Sequence, residues 1–300
     1  MAAKKIKLLL SVLFVVAGLM SFDSSKAQDD ESSKDIKADV FVNSRRRGKS
    51  RNISKYRRAS KTSAKGIEPS TGDSSVARVG LTIWRFRPTQ ANDKTKELIV
   101  EEDDEKPSEW TLERVEEGAW LAPGQRIRLS IESLSTDGYL YVINREEYSD
   151  GTLGDPVLVF PTQKSAAANY VQAGRLIYLP STTGRFRIKP SASTKEHVAE
   201  VLTVIVAPKP LVSADKLGEK STRLQRIQVE DWFKKWETPV VKFELDGGAG
   251  QVMTAVEQSA AQTSVLLTQE DPAPQTVFQI ATKPGNPLLV TVPLKFAKRD

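Results

Sequence analysis

Gln125-Arg126-Ile127-Arg128-Leu129-Ser130-Ile131-Glu132-Ser133 alternates without a break: Ile127, Leu129 and Ile131 fall on one face of an extended chain, and Arg126, Arg128, Ser130 and Glu132 on the other. Successive side chains of a strand point to opposite faces, so the stretch predicts an antiparallel strand with one face in a core and one in water. A few residues on, Gly138-Tyr139-Leu140-Tyr141-Val142-Ile143-Asn144 is apolar on both faces and predicts a central strand, with a turn at Ser149-Asp150-Gly151.

Working outward, further strands are expected at Leu81–Arg87 before Pro88, at Pro156–Phe160, Gly174–Leu179 and Gly184–Lys189, and at Glu200–Ala207 before Pro208. Past these come Val240–Leu245, Ser264–Thr268, Thr276–Ala281 and Leu288–Phe296, where Pro293 confines the last strand to an edge or a bulge. One amphipathic helix is expected over residues 222–237, because Val229, Trp232, Phe233 and Trp236 recur at i, i+3, i+4 and i+7. Such a stripe serves to cover a sheet, and a shorter helix fits Gln251–Ala260. Strands follow one another with few helices between them. The expected fold is therefore mainly β, an antiparallel β-sandwich, immunoglobulin-like or related, with one or two covering helices.

The chain has 300 residues, 44 Lys+Arg against 38 Asp+Glu, a formal charge of +6, one His and no Cys. Without cysteine there are no disulfides, thiol nucleophiles, zinc–thiolate or iron–sulfur sites. A single histidine excludes any site that needs a pair. Lys4, Lys5 and Lys7, the apolar run Leu8 to Met20, and Ser25-Lys26-Ala27 read as a signal peptide over 1–27 with cleavage before Gln28. The competing reading is an uncleaved anchor, but the run falls short of the roughly 20 residues that span a bilayer. The expected location is periplasmic or extracellular, with no transmembrane segment in the mature chain.

Residues 28–76 hold few large apolar groups, and 34–65 carry twelve cations against two acids. A block of like charge that cannot bury apolar area is expected to be disordered, leaving 77–300 as the β-rich domain. The cations in this block, among them Arg45, Arg46, Arg47, Arg57 and Arg58, are candidates for binding an anionic envelope polymer; the plainer alternative is a solubilising spacer. Export makes nucleic acid an unsuitable target, and 45–65 offers one aromatic, Tyr56, for base stacking. A second candidate cationic surface joins Arg126 and Arg128 to Arg185, Arg187 and Lys189, on condition that their strands are neighbours.

Catalytic signals are weak. His197, in Lys195-Glu196-His197, reads as a surface histidine. The acids Glu146, Glu147, Asp150 and Asp155 surround a glycine-containing loop, where carboxylates face water more readily than they hold calcium. The acidic run Glu101 to Glu105 reads as a solvated loop, and Gly247-Gly248-Ala249-Gly250 as a glycine turn that lacks the Lys-Ser/Thr of a phosphate loop.

From about 113 to 211 the chain resembles the bacterial domain-of-unknown-function family 4384. The matching residues are Pro123 to Ser130, Asp137 to Arg145 around Gly138-Tyr139-Leu140-Tyr141-Val142, Asp150 to Gly154, Val157 to Thr162, Val171 to Pro180 and Glu200 to Val206. Val79–Pro88 and Gln269–Phe296 also look like segments of longer exported members, so 212–300 is expected to add a helix and strands to a 113–211 core. The resemblance implies a β-rich, non-catalytic module and supplies no catalytic residues. The expectation is an exported, non-enzymatic binding or scaffolding module of the cell envelope. Its partner would be an envelope protein or anionic polymer, and no cofactor or metal is expected. The alternative is an envelope hydrolase acting on glycan or peptide through loop carboxylates.

Overall fold

A strand that alternates apolar and polar residues can bury its apolar face only against another layer, and a chain with many such strands stacks two sheets. The computed structural model describes residues 34–36, 45, 75–100, 107–188, 195–262 and 265–297. In chain order these form β1 (Lys34–Ile36), β2 (Ser75–Pro88), β3 (Glu97–Ile99), β4 (Ser108–Val115), β5 (Arg126–Ser133), β6 (Gly138–Tyr148), β7 (Val157–Phe160) and β8 (Tyr170–Val171). Then follow β9 (Leu176–Leu179), β10 (Phe186–Arg187), β11 (His197–Ala207), β12 (Thr222–Arg223), α1 (Arg226–Trp236), β13 (Val240–Leu245), α2 (Ala255–Gln262), β14 (Thr276–Thr282) and β15 (Leu288–Lys295).

The first sheet runs β1-β13-β14-β2-β4-β3, and β5 lies along the other side of β2 with β9 and β10 on its far edge. The long β2 thus meets β14 over its first half, β4 over its second, and β5 opposite both. The second sheet runs β12-β7-β6-β11-β15, with β8 on the start of β6. Among the described strands pairing is antiparallel, except where β1 lies parallel to β13.

Between the sheets, Val79, Leu81, Ile83, Ile127, Leu129, Ile131, Phe278 and Ile280 meet Leu140, Val142, Leu202, Val204, Val206, Val290 and Val292 in one buried cluster. This is the apolar face anticipated for β5. Fully burying each such side chain contributes about 1.5–3 kcal/mol before entropy is counted. Central β6 is buried on both faces, because Tyr141 and Ile143 point outward into a second cluster with Ile205, Val229 and Trp232. Helix α1 therefore covers the second sheet with the stripe expected of it. Gly138 begins β6 where a Cβ would come 2.6 Å from the Ala207 carbonyl oxygen, so the close strand approach needs glycine.

Three expectations are corrected. Val265–Thr268 is not a strand: Leu267 N–H bonds the Gly174 carbonyl, and the Asp271 carboxylate takes the Thr268 N–H and hydroxyl, which curls the chain. A strand over Ser108–Val115 was not expected, since its two glutamates and Arg114 mask the alternation of Trp110 and Leu112. Most consequentially, the polar face of β5 does not face water. Trp84, Phe86, Ile99, Leu112, Tyr178 and Met253 form a third apolar cluster on that side of the sheet, and Arg128, Ser130 and Glu132 are buried beside it.

Candidate functional site

The buried polar residues of β5 each find a partner. Arg128 makes a two-pronged ion pair with Glu97, at 2.6 and 2.9 Å, donates to the Gly184 carbonyl and sits 5.1 Å from the centre of the Phe86 ring. Ser130 accepts from the Trp84 indole at 2.9 Å. Glu132 receives the Arg45 guanidinium, whose Nε lies 2.6 Å from its carboxylate. The remaining Arg45 donors go to the carbonyls of Thr268, Asp271 and Pro272, while Gln269 donates to the Arg45 carbonyl. Burial pushes the Glu132 carboxyl upward against the pull of Arg45. Arg114 and Glu257 form another buried pair, tying α2 to β4.

Arg45, expected in a free cationic arm, is thus seated in the folded body, and Lys34–Ile36 of the same segment pair with β13. Arg46, Arg47, Arg57 and Arg58 lie outside the described residues, as do Glu101 to Glu105, Lys189 and the expected leader over 1–27. The condition set for the second cationic surface is met in part. β10 pairs with β5 and places Arg187 directly opposite Arg126. Arg126 lies 4.7 Å over the Trp110 ring, Arg187 is exposed and Arg185 is half-buried. Arg128 leaves the set, because it is buried and neutralised by Glu97.

Asp150 and Asp155 are engaged within the chain. Asp150 accepts from Lys195 at 2.9 Å and from Thr152, which hold its carboxyl well below the usual range. Asp155 pairs with Arg226 at 2.9 Å. A groove of roughly 690 Å³ runs along α1, lined by Leu211, Leu224, Ile227, Trp232 and Lys235 among others.

The expected surface histidine is also corrected: the His197 side chain is only 4% exposed. β11 carries a bulge between His197 and Ala199, after which Glu200 pairs with Glu146 and, before it, His197 pairs with Tyr148. The extra residue reverses the alternation, so His197 joins Glu200 and Glu146 on the face that carries Leu202 and Val204 into the core. There its ring packs edge-on against Phe296, with centroids 4.8 Å apart, and its Nε2 lies 3.6 Å from Glu200 Oε1. Among the described residues neither ring nitrogen has a hydrogen-bond partner, and neither does Asn144 Oδ1. The Asn144 amide nitrogen donates to Glu200 Oε2 at 2.7 Å, and the Tyr148 hydroxyl to Glu146 Oε2 at 2.5 Å. Burial raises the Glu200 carboxyl, opposed by Asn144 and His197 and reinforced by Glu146.

Glu146, His197 and Glu200 thus converge, with one ligand-type atom from each lying within 4.8 Å of the others. In the sequence Glu146 stands among loop acids and Glu200 begins an apolar strand. Register alone brings the two together, and the bulge adds the histidine. Among the described residues no helix is long and apolar enough to cross a membrane. No protein-family model matches this chain, and neither a curated protein nor a solved structure matches it, so the resemblance to family 4384 rests on the residues of 113–211 alone.

Proposed function

We propose that the chain is an exported, non-catalytic binding or scaffolding module of the bacterial cell envelope, akin to family 4384, which holds an anionic envelope polymer at one edge of its first sheet. The observation that carries this reading is the cross-strand juxtaposition of Arg126 and Arg187, with Trp110 beneath Arg126, on a two-sheet body. Two cations opposed across a strand pair raise the local positive potential that attracts phosphate or carboxylate groups. The basic residues from Arg46 onward would add charge to the same attraction. The leader-like residues 1–27 support export.

The test is sedimentation of the purified protein with vesicles of phosphatidylglycerol and phosphatidylcholine, and separately with a glycerol-phosphate polymer. A cation near an anionic surface contributes about 1 kcal/mol at low salt. Arg126→Glu with Arg187→Glu is therefore expected to weaken binding more than tenfold, most steeply at low ionic strength. Unchanged binding by the double variant, or equal binding to pure phosphatidylcholine, would overturn the proposal.

A further inference from the structure

We infer that Glu146, His197 and Glu200 form a binding site for a first-row divalent metal ion of the zinc class, set into one end of the sandwich between β6 and β11. The inference goes beyond the proposed function and does not depend on it.

Three observations converge. First, Glu146 and Glu200 stand directly opposite each other on adjacent antiparallel strands. Like charges in that position repel. A dication between them turns the repulsion into attraction. Second, His197 is turned into this space by a bulge, its side chain more than nine-tenths buried, with both ring nitrogens lacking a hydrogen-bond partner among the described residues. A buried imidazole without a partner costs free energy unless a ligand outside the chain satisfies it. Asn144 Oδ1 is a second such atom, on the amide whose nitrogen orients Glu200. Third, the spacing suits a small ion. Bonds of about 2.0–2.2 Å to nitrogen and oxygen in a tetrahedral site place donors about 3.4 Å apart. His197 Nε2 and Glu200 Oε1 are 3.6 Å apart, and no two of the three donors are more than 4.8 Å apart, so modest side-chain rotation closes the site.

The ligand set chooses the ion. An imidazole with two carboxylates and no sulfur favours zinc and its first-row neighbours over calcium or magnesium, which take oxygen alone. Tyr148, donating to Glu146, and Asn144, donating to Glu200, act as the outer partners that fix ligand orientation. Three protein ligands leave one position of a tetrahedral zinc for water.

His197 is the one histidine in the chain, so its imidazole ¹⁵N resonances can be read in an untagged protein without assignment. After treatment with a chelator, Zn²⁺ is titrated into the full chain and followed by calorimetry, by long-range ¹H–¹⁵N spectra and by thermal unfolding. The expected result is one Zn²⁺ per chain, a large shift of one imidazole nitrogen and a raised Tm. Loss of an outer partner costs about 10–100-fold in metal affinity, so Glu146→Gln and His197→Gln are expected to lose at least that much. Asp150→Asn, outside the cluster, is expected to bind as the wild type does. Imidazole signals that do not move at saturating Zn²⁺, a site that takes Ca²⁺ in preference, or undiminished affinity in both cluster variants would overturn the inference. The wild-type spectra decide the matter even if a variant fails to fold, and none of these outcomes bears on the cationic edge.

Discussion

Arg45 and Glu132 show what one charged side chain does when the fold closes over it. The guanidinium is saturated by a carboxylate and three backbone carbonyls, none of which is a sequence neighbour. Removing one member of such a pair leaves the other charge buried and uncompensated, which costs about 3–5 kcal/mol. Arg45→Ala is therefore expected to lower the unfolding free energy in urea by about that amount. Replacing both, Arg45→Met with Glu132→Leu, is expected to recover most of the loss, since apolar groups of similar volume leave no charge behind. A single variant that loses less than about 1 kcal/mol would show that solvent reaches Glu132 when the arginine is gone.

At the scale of an element, β13 carries a pH dependence of its own. Burial pushes the Glu244 carboxyl up to about 7, partly opposed by hydrogen bonds from Thr276 and Gln275. The folded chain then keeps a proton that the unfolded chain, with its carboxyl near 4.5, releases earlier. The group's contribution is full below about pH 4.5 and is lost as pH rises through 7. Glu244→Gln, which stays neutral, is expected to melt higher than the wild type at pH 8 and level with it at pH 4.5. An equal difference in Tm at both pH values would place the carboxyl in the ordinary range. The same strand carries β1 on its outer edge, so β13 links the chain's early segment to the sheet.

For the whole molecule, two described stretches before Ser75 also contact the β-rich body. Lys34–Ile36 pair with β13 and Arg45 completes a buried network, so segments before Ser75 belong to the folded unit. A chain beginning at Ser75 is expected to unfold at a lower urea concentration than one beginning at Gln28. Glu132→Leu placed in the shorter chain is expected to restore part of the difference, because it removes the charge that Arg45 had answered. If the two chains unfold alike, the early segment adds nothing to stability. The opposed cations Arg126 and Arg187 and the Glu146–His197–Glu200 cluster are separate features: one lies on a strand edge of the first sheet, the other at the inner face of the second.

Much of this was legible in the sequence because alternation is a local property. Ile127, Leu129 and Ile131 share a face whatever lies over it, Tyr141 and Val142 bury both faces of β6, and Trp232 marks the stripe of α1. Alternation says which residues stand together and is silent about what covers them. The polar side of β5 looks wet in the local pattern because the residues that close it, among them Arg45, Glu97, Tyr178 and Met253, lie far from it in sequence. The metal-type cluster was hidden twice over: Glu146 and Glu200 meet only through strand register, and a bulge, which period-two reading cannot see, turns His197 inward. The chain's own pattern settled that it would be two sheets with a covering helix. Which charges would end up buried, paired or converging was decided by long-range packing, because the energy of a buried charge depends on its neighbours in space.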